Sequence, residues 1–245
     1  MWTVLVPGNR VRKRKIWSGA DNFADGLPTL THPYSPASEA YRALRTTLIH
    51  AQADTPPKLI SITSPGRREG KSTTCANLGV VLAQAGKSTL LLDCDLRSPA
   101  LHKIFALRNQ HGITDVMLGT AHLQEVWQEP LPGLQELKLI TVGPVPPNPA
   151  ELASSARLGE LFDRARRDFD YVLVDTPPVG LVSDPLALAA RTDGVLLVFD
   201  GRSTRKAAVQ KSVQSLASVG ANVLGTAMNN VRGAKGKERY HYPYP

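Results

Sequence analysis

Cysteine is almost absent: Cys75 and Cys94 are the only two in 245 residues, and they form no CxxC pair. A disulfide framework or a thiolate zinc site therefore has no support, and a reducing cytosol is the compartment such usage fits. Long apolar runs are missing too. No uninterrupted apolar stretch approaches the ~18 residues that a membrane-crossing helix needs. The run Val4-Leu5-Val6 is too short for a signal peptide, and its charges follow it instead of preceding it. A membrane role would need something else to hold the chain there. The body of the chain also lacks net charge. Lys plus Arg is 29 and Asp plus Glu is 21, a formal +8, yet residues 1–20 hold five basic groups and no acid, and residues 232–245 hold four basic groups and one acid. Residues 21–231 carry 20 of each sign, so no nucleic-acid partner is expected of the body. What is present excludes general disorder. Hydrophobic residues make up 42% and charged residues 20%, enough at this length for a sizeable core, while 19 Pro and 19 Gly predict many turns.

Residues 1–35 read as a basic, then polar arm with no regular structure, residues 36–231 as one domain, and residues 232–245 as a flexible basic tail containing tyrosines. Ser35-Pro36 predicts a helix start, Ser as N-cap and Pro at the first helical position. Along that helix Ala40, Leu44, Thr47, Leu48 and Ala51 share one face, with Glu39, Arg42 and Arg45 opposite. Apolar strand runs at 59–63, 89–93, 137–142, 171–175, 195–200 and 223–228 alternate with helical stretches at 71–85, 150–167, 185–191 and 204–219. Strands apolar on both faces and alternating with helices imply an α/β domain, a mostly parallel sheet covered by helices on both faces.

Residues 64–73 read Ser-Pro-Gly-Arg-Arg-Glu-Gly-Lys-Ser-Thr, between a strand and a helix. A loop there aims successive backbone N–H groups and a helix N-terminus at one point, which suits a phosphate chain; Lys71 adds a mobile charge and Ser72 a hydroxyl for Mg²⁺. Gly66, Arg67, Arg68, Glu69, Gly70, Lys71, Ser72 and Thr73 are thus the candidate ATP-binding residues. Pro65 stands where the strict pattern has Gly, and Gly-Lys-Ser merely opening a helix after a surface turn is the competing explanation. The carboxylates weigh against it. Leu90-Leu91-Leu92-Asp93-Cys94-Asp95-Leu96-Arg97 closes one strand and Val172-Leu173-Val174-Asp175-Thr176-Pro177-Pro178 another. Carboxyl ends of parallel strands face the ligand crevice, so Asp93, Asp95 and Asp175 would converge on one metal-bound phosphate. Any one alone reads equally well as a helix N-cap.

These residues resemble the bacterial tyrosine kinases of capsular and exopolysaccharide synthesis, which use a phosphate loop in place of the eukaryotic kinase fold. The resemblance runs over roughly residues 35–245 and includes Gly112-Ile113-Thr114-Asp115-Val116-Met117-Leu118-Gly119 and Gly143-Pro144-Val145-Pro146-Pro147-Asn148-Pro149-Ala150-Glu151-Leu152. It implies a P-loop NTPase fold and a protein-tyrosine kinase that uses ATP and Mg²⁺. Lys71 would neutralise the phosphates and Asp93 act as base. Ser72, Asp95 and Asp175 would form the metal shell, and Asn229 or its neighbour Asn230 would lie near adenine. The Glu39, Arg42, Arg45 spacing matches the motif by which family members assemble into rings, although such charges are also the ordinary solvated face of a helix. Tyr240, Tyr242 and Tyr244 resemble the family's phosphoacceptor cluster, on a neighbouring subunit; an aromatic docking peptide is the other explanation. With no spanning segment, the resemblance implies a cytoplasmic protein recruited to the inner face of the membrane by an activating adaptor, with protein tyrosines as substrates.

Each phosphate adds about −1.5 to −2 charge, so three would take the tail from +3 to roughly −2 or −3. Given an acidic crevice, the modified tail would leave it. The cations of residues 1–20 are expected either to meet anionic lipid, at about 1 kcal/mol each, or to be solvated. Two other functions fit the same fold. Positioning or partitioning ATPases carry a signature Lys where this chain has Gly66, and a degenerate nucleotide-holding scaffold is suggested by Arg68 beside Glu69-Gly70-Lys71, where many relatives have Gly-Glu-Gly-Lys.

Overall fold

In the computed structural model, which describes residues 1–7, 26–51 and 56–231, the chain begins with β1 (Trp2–Pro7), α1 (Pro28–Thr31) and α2 (Pro36–Ile49). There follow β2 (Leu59–Thr63), α3 (Lys71–Ala83), β3 (Thr89–Asp93), α4 (Leu101–Ile104), α5 (Ile113–Leu118), α6 (Leu123–Val126) and β4 (Leu137–Ile140). The last part is α7 (Pro149–Ala153), α8 (Ala156–Asp168), β5 (Tyr171–Asp175), α9 (Asp184–Ala189), β6 (Gly194–Asp200), α10 (Lys206–Ser218) and β7 (Val223–Val231). The strands form one sheet in the order β1-β7-β6-β2-β5-β3-β4, every pair parallel.

Every residue of β2, β3 and β5 is buried. Strand side chains alternate between faces, so two cores form. Ile60, Ile62, Leu91 and Leu173 pack with Leu44 and Leu48 of α2 and with Leu78 and Leu82 of α3. Leu59, Leu90, Leu92, Val172 and Val174 pack with Ile113 of α5 and with Leu158, Leu161 and Phe162 of α8. This is the parallel, helix-covered sheet that the alternation predicts, and the P-loop NTPase fold that the resemblance implies. The Ser35 hydroxyl accepts from the Ser38 amide and caps α2, as the sequence predicts.

Two expectations change. Residues 1–35 are not without regular structure. β1 pairs along β7, with Val6 buried, a Thr3–Thr226 hydroxyl bond of 2.7 Å, and the Trp2 ring seated where a side chain at Gly225 would stand. Removing residues 1–20 would therefore also remove a strand, so a lipid test of the cations there requires substitution. The helix expected at 150–167 is two, because the Ser155 side chain accepts from the Leu158 amide and starts α8 afresh after α7. No helix among the described residues is long and apolar enough to cross a membrane.

Candidate active site

Register brings the carboxylates together. Asp93 stands opposite Asp175 across β3 and β5, and Asp175 opposite Ile62 of β2, whose strand leads into the phosphate loop. The chain reverses its winding about β2, and the crevice beyond those strand ends is where ligands bind in such sheets.

The loop is fastened from behind. Glu69 is buried; its carboxylate accepts from the Gly66 amide at 2.9 Å and from the Thr204 hydroxyl of the segment after β6. The Gly66 amide is thus engaged by Glu69 within the loop. Asn229 Nδ2 donates to the Glu69 carbonyl at 3.0 Å and to Thr74 Oγ1 at 3.2 Å, which ties the loop to β7. Its Oδ1 is buried without a partner. Asn229 and Asn230 line a cavity of about 250 Å³ together with Val6, Pro7, Tyr41, Arg68 and Gly70. Arg68 is one of the described non-glycine residues at positive φ, 60°, and Gly70 has φ 94° just before α3 begins. Arg68 holds this left-handed conformation at a cost of about 1 kcal/mol or more.

At the mouth, Lys71 Nζ lies 2.8 Å from Asp95 Oδ2, 3.3 Å from Asp175 Oδ1 and 3.1 Å from Ser72 Oγ. Burial alone would lower the Lys71 pKa, but the carboxylates of Asp175, Asp95 and Asp93 outweigh it and hold the ammonium above its ordinary value. Burial pushes the Asp175 carboxyl up, and Lys71 and Ser72 offset this only in part. Asp175 Oδ2 is buried with no hydrogen-bond partner. A buried orphan carboxylate oxygen beside a serine hydroxyl and Asp95 is a set of hard oxygen donors, which fits Mg²⁺. Among the described residues no group of three or more His, Cys, Asp or Glu side chains is placed to hold a metal unaided, and Mg²⁺ at phosphates needs only one or two carboxylates.

Asp93 is fully buried: Oδ1 accepts from the Asp95 amide, and Oδ2 from the amides of Ala100 and Leu101 at 3.1 and 3.0 Å. Burial first, then the facing Asp175, pushes its carboxyl up to about 8, against the pull of those amides. In this state it anchors the 95–101 loop.

A family profile described as the CobQ/CobB/MinD/ParA nucleotide binding domain matches residues 60–241. Tyrosine-protein kinase YwqD of Bacillus subtilis (strain 168) is 41% identical over 213 residues, 87% of this chain and 89% of that protein. The chain belongs to the bacterial tyrosine-protein kinases. The solved kinase domain of Escherichia coli tyrosine kinase ETK covers 98% of the chain at TM-score 0.85 and 31% identity, itself covered to 94%. The full-length etk of E. coli K12 is matched over only 31% of its length. The septum site-determining protein MinD of Pyrococcus horikoshii, at TM-score 0.61 and 24% identity, covering 74% of this chain and 72% of its own, shares the fold.

In this family member Glu39, Arg42 and Arg45 of α2 make contacts within the chain. Arg42 donates to Glu39 and to the Pro33 carbonyl, and Arg45 to the Val81 carbonyl of α3 at 3.1 Å. Tyr240, Tyr242 and Tyr244 lie outside the described residues. Sequence reasoning missed Thr204 and Asp184, which have no local signature; Asp184 grips Arg97 from 87 positions away.

The crevice is not acidic. A cavity of about 640 Å³ at the phosphate loop is walled by Arg67, Arg68, Lys71, Arg97 and Lys103 against a single acid, Asp95. The premise of an acidic crevice therefore fails, because Asp93 and Asp175 are fully buried while Arg67, Arg68 and Lys103 are exposed.

Proposed function

We propose that the chain is an ATP-dependent protein-tyrosine kinase that phosphorylates Tyr240, Tyr242 and Tyr244 of a neighbouring subunit and serves polysaccharide synthesis and export. The observation that carries this reading is Lys71, held between Asp95 and Asp175 at the head of a phosphate loop, with an unpartnered Asp175 oxygen beside Ser72. Amides from Arg67 to Thr73 hold the phosphates, and Lys71 leaves the carboxylates to neutralise charge on the β/γ bridge. Ser72, Asp95 and Asp175 hold Mg²⁺, which neutralises phosphate charge when bound. A bond forms from the tyrosine Oη to the γ-phosphorus as the bridging oxygen leaves with ADP. The hydroxyl, with an ordinary pKa about 10, gives its proton to Asp93 in its ionised form, which the raised pKa makes a stronger base than an ordinary carboxylate. Asp93 is fully buried and held by the amides of Asp95, Ala100 and Leu101, so the 95–101 loop shifts to let the acceptor reach it.

Incubation with ATP and Mg²⁺ followed by mass spectrometry is expected to place phosphate on those three tyrosines. Absence of phosphotyrosine, with ATP turnover intact, would favour the positioning-ATPase reading; absence of both would favour the scaffold.

A membrane adaptor as activator is what the family resemblance implies. In a ring, guanidinium donors of Arg42 and Arg45 beyond those used internally reach a neighbouring subunit. Arg42→Ala is then expected to lower the mass seen by size-exclusion chromatography with light scattering, and an unchanged mass counts against the ring.

A further inference from the structure

The cavity of about 640 Å³ extends well past the phosphate loop. Its lining also takes in other segments: Arg97 and Lys103 after β3, and Leu181 and Val182 after Pro177-Pro178. Leu181 is 54% exposed, an apolar lip that nothing else in the described chain covers. The cations differ in how far they are engaged. Lys71 is paired with Asp95 and Asp175, and Arg67 and Arg68 lie on the loop, where the charge of a nucleotide meets them. Arg97 and Lys103 lie off the loop. Asp184, 4% exposed, grips Arg97 through Nε at 2.8 Å and Nη2 at 3.3 Å, which orients the guanidinium and leaves its Nη1 edge free. Lys103 is exposed and forms no ion pair with any described residue.

An apolar lip beside two off-loop cations matches an aromatic ring with a negative neighbour, and it repels a bare tyrosine in a basic peptide. We propose that this off-loop lining selects acceptor tyrosines flanked by negative charge, and that in residues 232–245 a phosphate already present on one tyrosine recruits the next. Leu181 and Val182 receive the acceptor ring, and Arg97 and Lys103 receive the neighbouring phosphate. The inference rests on the kinase reading and names its substrate class. Tyr240, Tyr242 and Tyr244 alternate, so in an extended segment neighbouring tyrosines stand about 7 Å apart on one side, which lets one address the transfer site while another addresses the wall. The unmodified segment carries +3 and is repelled; the first phosphate cancels about half or more of that charge. Modification of this segment is thus slow to begin and faster once begun.

The test uses the full chain with Mg·ATP and two peptides of residues 235–245, one with phosphotyrosine at 242 and one with Tyr242→Phe. Both leave Tyr240 and Tyr244 as acceptors. The phosphopeptide is expected to have a higher kcat/KM by about three- to tenfold, carried by KM, since two partly exposed charge contacts supply the difference. The ratio is expected to shrink between about 50 and 500 mM NaCl and to fall to one or below in Lys103→Glu. Equal rates for the two peptides, or a ratio that survives in Lys103→Glu, overturns the inference and leaves the kinase reading standing. The same holds if the chain labels itself but neither peptide. If it labels neither itself nor a peptide, the kinase reading falls and takes the inference with it.

Discussion

Lys71→Met is expected to reduce tyrosine phosphorylation by about a thousandfold, because a charge placed at the β/γ bridge is the kind of transition-state contact whose loss costs that much. The same change has a structural consequence that separates it from an ordinary catalytic knockout. In the ligand-free chain Lys71 is the cation for Asp175, which is fully buried, and for Asp95, which is 3% exposed. Removing one partner of a buried ion pair typically destabilises by about 3–5 kcal/mol. The deficit should depend on pH in a stated direction. The Asp175 and Asp93 carboxyls lie above their ordinary range in the folded chain, so the fold retains protons there that the unfolded chain has released. That contribution favours low pH and is lost as pH rises through the folded values. Lys71, itself raised, contributes fully below its unfolded value of about 10.5, so its own titration adds nothing between pH 5 and 8. Without the ammonium, the carboxylates hold protons more tightly still. Urea melts of the ligand-free variant should therefore show a large deficit at about pH 8 and a smaller one at about pH 5. Lys71→Arg, which keeps the charge, should recover much of the stability while transfer stays impaired, since the planar guanidinium does not reproduce an ammonium. A deficit independent of pH would mean that the ion pairs are not its source.

The parts of this site that follow from short-range pattern could be read before any coordinates. Strands covered on both faces are continuous apolar runs, so β2, β3 and β5 announce themselves, and an Asp at the end of each of β3 and β5 must then face the same crevice. Facts that depend on distant pairing could not. β1 is six residues followed by a run of cations, and its partner β7 lies more than two hundred positions away, where Gly225 leaves room for Trp2. The sign of the crevice was misjudged for the same reason. Counting charges does not reveal that Asp93 and Asp175 are sealed beneath the surface and that Asp184 sits behind Arg97, while Arg67, Arg68 and Lys103 project outward. The electrostatics that an acceptor meets are set by which acids the fold buries.

Gly70→Ala is expected to be the most damaging single-methyl addition in the loop, and a second substitution should partly rescue it. Gly70 has φ 94°, a conformation that costs an L-residue about 1–2 kcal/mol, and its added Cβ would stand 2.1 Å from Asn229 Nδ2. Asn229 is not a free side-chain end: the same nitrogen holds the Glu69 carbonyl and Thr74 Oγ1, so pushing it away unties the phosphate loop from β7. Overpacking of about 1–3 kcal/mol adds to the backbone strain, for a total of about 2–5 kcal/mol. Asn229→Ala alone should cost about 1–3 kcal/mol, because it leaves the buried Glu69 carbonyl without a donor. In the double variant the clash is gone while the backbone strain and the lost hydrogen bonds remain. Denaturant melts of the four proteins should accordingly give a double-variant deficit smaller than the sum of the single ones by about 1–2 kcal/mol. Nucleotide affinity should stay low, because the strained turn at Gly70 immediately precedes the Lys71 and Ser72 amides. Strict additivity would mean that Gly70 is required for its backbone conformation alone, and that Asn229 does not crowd it.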